Sequence, residues 1–308
     1  MTIKIESIKV RSSNGKNDLA GVVFLPDGEA RGILHIVHGM VEHIGRYKTF
    51  MEDMATLGYI CVGYDNLGHG NTARDASEFG YIAKKRGWEL LLRDVRLFSD
   101  AVREKYGREL PYYLMGHSMG SFIVRCASAG YVSPDKLIIM GTGGPNPAAN
   151  PGLALIAVIK AIYGDKHISK FVNSIAFSTY NERFGGGTKE DPSPWLSTLE
   201  STRQGHYNDR FCTFKFTVSA MGDLIRLIKY SNQGAWYKKL TTSLPVLLVA
   251  GAEDPVGSYG DGVRKVHDKL IATGHSSECI IYPDVRHEIL NDTSYEDVKA
   301  DIIKFLEK

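Results

Sequence analysis

The sequence has no apolar run approaching the ~20 residues that a helix needs to cross a bilayer. Its longest greasy stretch, Leu153 to Ala161, is too short and contains Lys160. The start, Met1-Thr2-Ile3-Lys4-Ile5-Glu6-Ser7-Ile8, alternates polar residues with Ile, the pattern of a half-buried strand. A secretory signal would need an uninterrupted apolar core there. Cysteine is scarce: Cys61, Cys126, Cys212 and Cys279 are widely separated, with no CxxC pair. That spacing argues against a zinc site or a disulfide framework and fits free thiols in a reducing cytoplasm. Charge of one sign is also missing. The 37 Lys and Arg are scattered among 35 Asp and Glu, for a net charge of +2. A nucleic-acid partner would usually show as a clustered basic excess, so none is expected.

What is present is a rhythm. The segments 19–25, 32–37, 59–64, 111–115, 136–140, 244–250 and 278–282 read as short strands, most of them continuously apolar. Between them lie helical patterns at 47–57, 89–106, 119–129 and 259–273, with a last one at 295–307. Such alternation implies an α/β fold, with a mostly parallel sheet buried on both faces. The 308 residues suffice for one large domain with an insertion. The rhythm breaks between Gly144 and Lys239. That stretch holds Gly185-Gly186-Gly187 and Asp191-Pro192-Ser193-Pro194, shows no clear strand, and reads as an inserted helical lid. Residues 1–143 and 240–308 would then form the core, and 144–239 the lid.

Gly116-His117-Ser118-Met119-Gly120 fits G-x-S-x-G between a strand and a helix. In that context the motif predicts an elbow that lifts the Ser118 hydroxyl above the sheet as a nucleophile. The bland alternative is a capping serine in a Gly-rich turn. A serine needs a base to take its proton, and on such a fold the chain order is Ser, acid, His. Of His206, His267, His275 and His287, only His287 sits in a loop directly after a core strand. Asp254, in Gly251-Ala252-Glu253-Asp254-Pro255 after the strand 244–250, is the expected acid; Glu253 and Asp284 are the alternatives. An Asp-Pro pair is also a common turn signal. The oxyanion needs backbone N–H donors, expected from Met119 and from Met40 in His38-Gly39-Met40. Asp65 to Gly70 precedes the serine and reads as a loop bracing the site.

These pieces together resemble the monoglyceride lipase and lysophospholipase branch of the α/β-hydrolases, often labelled serine aminopeptidase S33-like. The matching segments are His38-Gly39-Met40-Val41-Glu42-His43 with Arg46-Tyr47, Asp65 to Gly70, Gly116 to Gly120, Gly251 to Asp254, and Arg286-His287-Glu288. The resemblance implies hydrolysis of a carboxylic ester, most of all of a monoacylated lipid, with no metal or organic cofactor. The chain departs from the pattern at Val41, at Asn71-Thr72, and most in the lid, which sets substrate preference. A second reading keeps the triad but cleaves amides as an aminopeptidase, with Glu182, Glu190 or Glu200 holding a free amine. A third is a non-catalytic binding member of the fold.

In the lid, Pro151 to Tyr163 is apolar on nearly every face. It either packs on the core or offers a greasy entrance that touches lipid or membrane transiently. Phe211, Phe214 and Ile156 are candidate substrate contacts. Nothing in the sequence specifies an oligomeric state.

Overall fold

The computed structural model describes residues 3–308. Met1 and Thr2, where the reading of the first strand begins, lie outside the described residues. The core is an eight-stranded sheet in the order β1-β2-β4-β3-β5-β6-β7-β8. Its strands are β1 (Lys4–Arg11), β2 (Asp18–Leu25), β3 (Gly32–Val37), β4 (Tyr59–Tyr64), β5 (Tyr112–His117), β6 (Lys136–Met140), β7 (Val246–Gly251) and β8 (Ser277–Tyr282). β1 and β2 pair antiparallel, as do β2 and β4; the pairs among β3 to β8 are all parallel.

Burial explains why the central strands are largely apolar while β1 alternates. Every residue of β3, β4, β5 and β7 is buried, whereas β1 at the edge has one face open to solvent. Successive side chains serve opposite layers. Ile33, Leu114, Ile139 and Leu248 join one core with α2 (Gly87–Tyr106), α3 (Met119–Ser128) and α9 (Asp261–Ala272). Leu34, Met115, Ile138 and Leu247 join the other with α1 (Lys48–Thr56) and α10 (Tyr295–Glu307).

The segment between β6 and β7 is helical: α4 (Ala149–Tyr163), α5 (Lys170–Phe177), α6 (Glu200–Asn208), α7 (Val218–Ser231) and α8 (Gly234–Lys239). Its parts differ in attachment. Met221 and Leu227 of α7 and Trp236 of α8 are buried in the same core layer as α2 and α3. The Arg125 guanidinium on α3 fastens them. It is fully buried, donates to the carbonyls of Gly143 (3.1 Å) and Ser231 (2.6 Å), and lies 4.7 Å from the Trp236 ring centre. Burial without a carboxylate partner lowers its pKa to about 10. α4 covers α7 with Ala149 and Ile156 but leaves Val158 and Ile162 largely exposed.

The chain runs from β3 outward to β4, then crosses back to β5 on the other side of β3. This reversal opens a crevice at the carboxyl ends of β3 and β5, where open α/β sheets place their ligands.

Candidate active site

Ser118 occupies that crevice. It follows β5 directly and begins α3 with φ 54° and ψ −120°, a left-handed conformation that strains any residue but glycine. The flanking glycines are required by contact. A Cβ on Gly116 would come within 2.3 Å of the Gly120 carbonyl oxygen, and one on Gly120 within 2.0 Å of the Val37 carbonyl oxygen. The helix start is therefore pressed against the end of β3, and the Ser118 side chain is left half-exposed.

Asp254 and His287 come from the loops after β7 and β8. Asp254 is fully buried, and its Oδ1 accepts the Val256 N–H at 2.9 Å. Its Oδ2 lies 2.9 Å from His287 Nδ1. The contact is at ion-pair distance, but the ring is turned out of hydrogen-bond alignment, and among the described residues His287 Nε2 has no partner. Catalytic hydrogen bonds often align only with substrate present. Gly251 makes the meeting possible, since a Cβ there would fall 2.1 Å from the Val285 carbonyl oxygen. The other candidates lie elsewhere. Glu253 anchors the loop through its backbone N–H to Val285, and Asp284 sits in a turn at φ 56°. His267 pairs with Ser277, and His275 with the Leu240 carbonyl. His206 is on α6 and lines the cavity described below.

The loop after β3 carries Met40. A Cβ on Gly39 would lie 2.9 Å from Ser118 Cβ, so this loop passes beside the serine. The Gly39 N–H donates to Glu42 Oε1, and the Val41 N–H donates to His69 Nε2 at 3.2 Å. Among the described residues, the Met40 N–H between them and the Met119 N–H at the start of α3 have no acceptor. The Asp65–Gly70 segment braces this loop. His69 accepts at Nε2, so its proton sits on Nδ1 and is donated to the Leu67 carbonyl at 3.0 Å. Burial lowers the His69 pKa to about 3, which keeps it neutral. Asp65 accepts the N–H groups of Ile44 (2.9 Å) and Asn71 (2.7 Å).

Behind His287 lies a buried charged network whose members come from separate loops. Arg46 bridges Glu42 (3.6 Å) and Glu288. The Tyr47 hydroxyl donates to Glu42 at 3.0 Å, and His117 Nδ1 stands 2.9 Å from that hydroxyl and 3.3 Å from Glu42. His117 Nε2 faces the His287 carbonyl at 3.1 Å, so that nitrogen donates. Burial opposes charge on His117, but the Glu42 carboxylate outweighs it and raises the imidazole pKa. Burial likewise pushes Glu42 up, while His117, His38 and Arg46 outweigh it and hold the carboxyl below its ordinary range. The network ties the loop carrying Met40 to the loop carrying His287. Glu42, Arg46, Tyr47 and Glu288 stood in the matched segments, yet sequence gave no sign that they meet.

A cavity of about 530 Å³ adjoins the Met40 and His287 side of the site, walled by Met40, Val41, His117 and His287 and by Phe177, Trp195, Leu196 and Phe214 from the insert. The Trp195 ring lies 5.0 Å from His287. Of the candidate substrate contacts, Phe214 lines this cavity. Phe211 packs instead between His43 and Phe79. Ile156 is buried against α7 beside a separate hollow formed with Lys160 and Arg226, because α4 turns that face inward. Among the described residues, one group of possible metal ligands lies close together, His43, Asp209 and Cys212.

An open sheet of this order, with an elbow after β5 and an acid and a histidine after the last strands, defines an α/β-hydrolase of esterase and lipase type. The chain belongs to the serine aminopeptidase, S33, family, whose model matches residues 28–294. The monoacylglycerol lipase of Mycolicibacterium smegmatis is 24% identical over 96% of this chain and 98% of its own. A thermostable carboxyl esterase from Bacillus coagulans, solved with glycerol, is 29% identical and superposes with a TM-score of 0.92 over 99% of both chains. A soluble variant of Saccharomyces cerevisiae monoglyceride lipase in complex with a substrate analog shares the fold at 17% identity, with a TM-score of 0.72, over 99% of this chain and 96% of its own.

Proposed function

We propose that the protein hydrolyses the carboxylic ester of monoacyl lipids, such as monoacylglycerols or lysophospholipids, through an acyl-enzyme on Ser118. The observation that carries this reading is the contact of Asp254 with His287 Nδ1, which leaves Nε2 without a partner among the described residues, on a ring that lines the cavity. His287 takes the Ser118 proton as the oxygen attacks the ester carbonyl. The N–H groups of Met40 and Met119 hold the oxyanion. His287 then protonates the leaving alcohol and, in the second half, draws a proton from water as it attacks the acyl-enzyme and releases the fatty acid. Asp254 holds the imidazole and stabilises its charge throughout.

The cavity supports a small amphiphile. Its volume falls within the ~300–1,000 Å³ of small-molecule sites, and its walls combine apolar side chains with Glu42, Arg203, His206 and Glu288. The relatives named for monoacylglycerol hydrolysis support the same choice. An aminopeptidase would need an unpaired carboxylate for the substrate amine. Glu42 and Glu288 are held by Arg46, Asp191 is held by Arg203, and Glu182, Glu190 and Glu200 do not line the cavity. Residues 144–239 act as the lid over residues 1–143 and 240–308 in this reading. The exposed Val158, Ile162, Phe171 and Ile175 on α4 and α5 give it an apolar face for transient contact with a lipid surface. No helix among the described residues is long and apolar enough to cross a membrane. The four free cysteines suit a reducing cytoplasm.

The test is to assay wild type and Ser118→Ala on p-nitrophenyl esters of graded chain length, a monoacylglycerol, a lysophospholipid and an aminoacyl amide. Esterase activity abolished in Ser118→Ala is the expected result. Inactivity of the wild type on every ester would sink the reading, and undiminished activity in Ser118→Ala would sink the mechanism.

A further inference from the structure

The spacing of the cysteines argues against a zinc site of the CxxC kind, but folding assembles a different donor set. His43 lies in the loop after β3, three residues past Met40, while Asp209 and Cys212 belong to the turn that ends α6. Their ligand atoms all lie within 4.8 Å of one another, and His43 Nε2 is 2.8 Å from Asp209 Oδ2. We propose that His43, Asp209 and Cys212 form a binding site for one borderline-soft divalent cation, zinc above all, which staples the inserted segment to the oxyanion loop and slows hydrolysis.

The donor set selects the ion. Imidazole nitrogen, carboxylate oxygen and thiolate sulfur together suit zinc, and they do not suit magnesium or calcium, which take oxygen ligands. Zinc bonds of ~2.0–2.3 Å place tetrahedral ligand atoms roughly 3.3–3.7 Å apart, so the widest pair closes by about 1 Å while the His43–Asp209 pair opens by about 0.5 Å. The donors are held ready. Asp209 Oδ1 accepts the Phe211 N–H at 2.8 Å, the Phe211 ring packs on the His43 ring, and the Cys212 N–H bonds the Asp209 carbonyl. Arg46, whose charge reaches Asp209 and Cys212, is already offset by Glu42 and Glu288. On binding, His43 keeps one ring proton by moving it to Nδ1, and Cys212 loses its thiol proton to solvent, one proton per ion. Cys212 also lines the cavity, so drawing its sulfur toward His43 moves a wall of the substrate site and pins the loop that carries Met40. Three protein ligands leave a coordination position for water.

The site does not depend on the hydrolase reading, and binding is measured apart from activity. Zinc is titrated calorimetrically into wild type, Ser118→Ala, His43→Ala and Cys212→Ser, in buffers of different protonation enthalpy. Wild type and Ser118→Ala are expected to bind one zinc each with release of about one proton, and the two ligand variants to bind about tenfold more weakly or worse. In the ester assay, zinc is expected to inhibit wild type reversibly, with EDTA restoring the rate. The zinc needed for half-inhibition rises about tenfold or more in Cys212→Ser relative to that variant's own zinc-free rate. Equal zinc affinity in wild type and Cys212→Ser, or no binding by folded wild type at about 100 µM zinc, would overturn the proposal. Retained binding with no effect on hydrolysis would overturn its regulatory half.

Discussion

Replacing Glu42 by Gln tests whether the buried network behind His287 does what its geometry says. The carboxylate accepts from the Gly39 N–H and the Tyr47 hydroxyl, and it faces His117 and Arg46 with almost no solvent exposure. A hydrogen bond to a buried charged group contributes about 1.5–3 kcal/mol, and removing one partner of a buried pair costs about 3–5 kcal/mol. Gln keeps one acceptor for Gly39 but gives up the charge. His117 and Arg46 are then left with Glu288 alone, and a loss of about 2–4 kcal/mol is expected. Because Gly39 precedes Met40, kcat should fall more than KM rises. The pH dependence follows from the shifts. The depressed Glu42 carboxyl contributes stability above the ordinary Glu value of ~4.5 and loses it as pH falls. The raised His117 imidazole contributes below ~6.5 and loses it as pH rises through its folded value. The gap between wild type and Glu42→Gln should be widest between these limits and narrow above them, without vanishing, since Arg46 stays charged. Urea unfolding from pH 5 to 9, with ester kinetics at each pH, measures both. A difference under about 0.5 kcal/mol with unchanged kcat would refute the reasoning.

Asp254→Asn should fold as wild type and lose about 10⁴ in kcat, because the amide favours the wrong imidazole tautomer; a loss below tenfold in steady-state kinetics would remove Asp254 from its role. Gly120→Ala should lose several kcal/mol, about 3 or more, since its methyl meets the Val37 carbonyl oxygen at 2.0 Å; a melting temperature within a degree or two of wild type would contradict the close packing of α3 on β3. Burial raises the Asp223 pKa to about 6, above its ordinary 3.8. The folded state therefore holds a proton that the unfolded chain releases, and stability drains away by up to about 3 kcal/mol as pH rises from ~4 to 6. Asp223→Asn should melt higher than wild type at pH 8 and lose that advantage near pH 4, measured by calorimetry; a lower melting temperature at pH 8 would refute it.

The sheet was legible because strands buried on both faces must be apolar throughout, and the elbow was legible because Gly116 and Gly120 are sterically compelled. Boundaries moved where a strand ends in functional residues: β5 runs on through Gly116 and His117, and β7 through Gly251. The role of Asp65 to Gly70 as a brace was readable from its place before the serine. The Glu42–His117–Arg46–Glu288 cluster was not, since polar residues in separate loops carry no periodicity to announce a shared burial. Ile156 misled for a related reason. A helix apolar on all sides does not say which side it buries, and only α7 decides that the Ile156 face turns in while Val158 faces out. The same blindness hid the closeness of His43 and Cys212, which are set together by the turn after α6.

Trp195 lies tilted against the His287 ring, but its neighbours matter as much. The Glu288 N–H donates to the Leu196 carbonyl at 2.8 Å, Ser197 donates to Asn291, Thr198 donates to Asp292, and Arg286 donates to the carbonyls of Pro194 and Ser197. The stretch 194–198 is thus a splint for the histidine loop, although it arrives within the insert. Trimming the insert down to a minimal hydrolase would remove the casing in which the proposed base is set, along with the cavity walls the insert supplies. Whatever else of the insert is redrawn, the five residues from Pro194 to Thr198 are tied to the histidine loop beneath them.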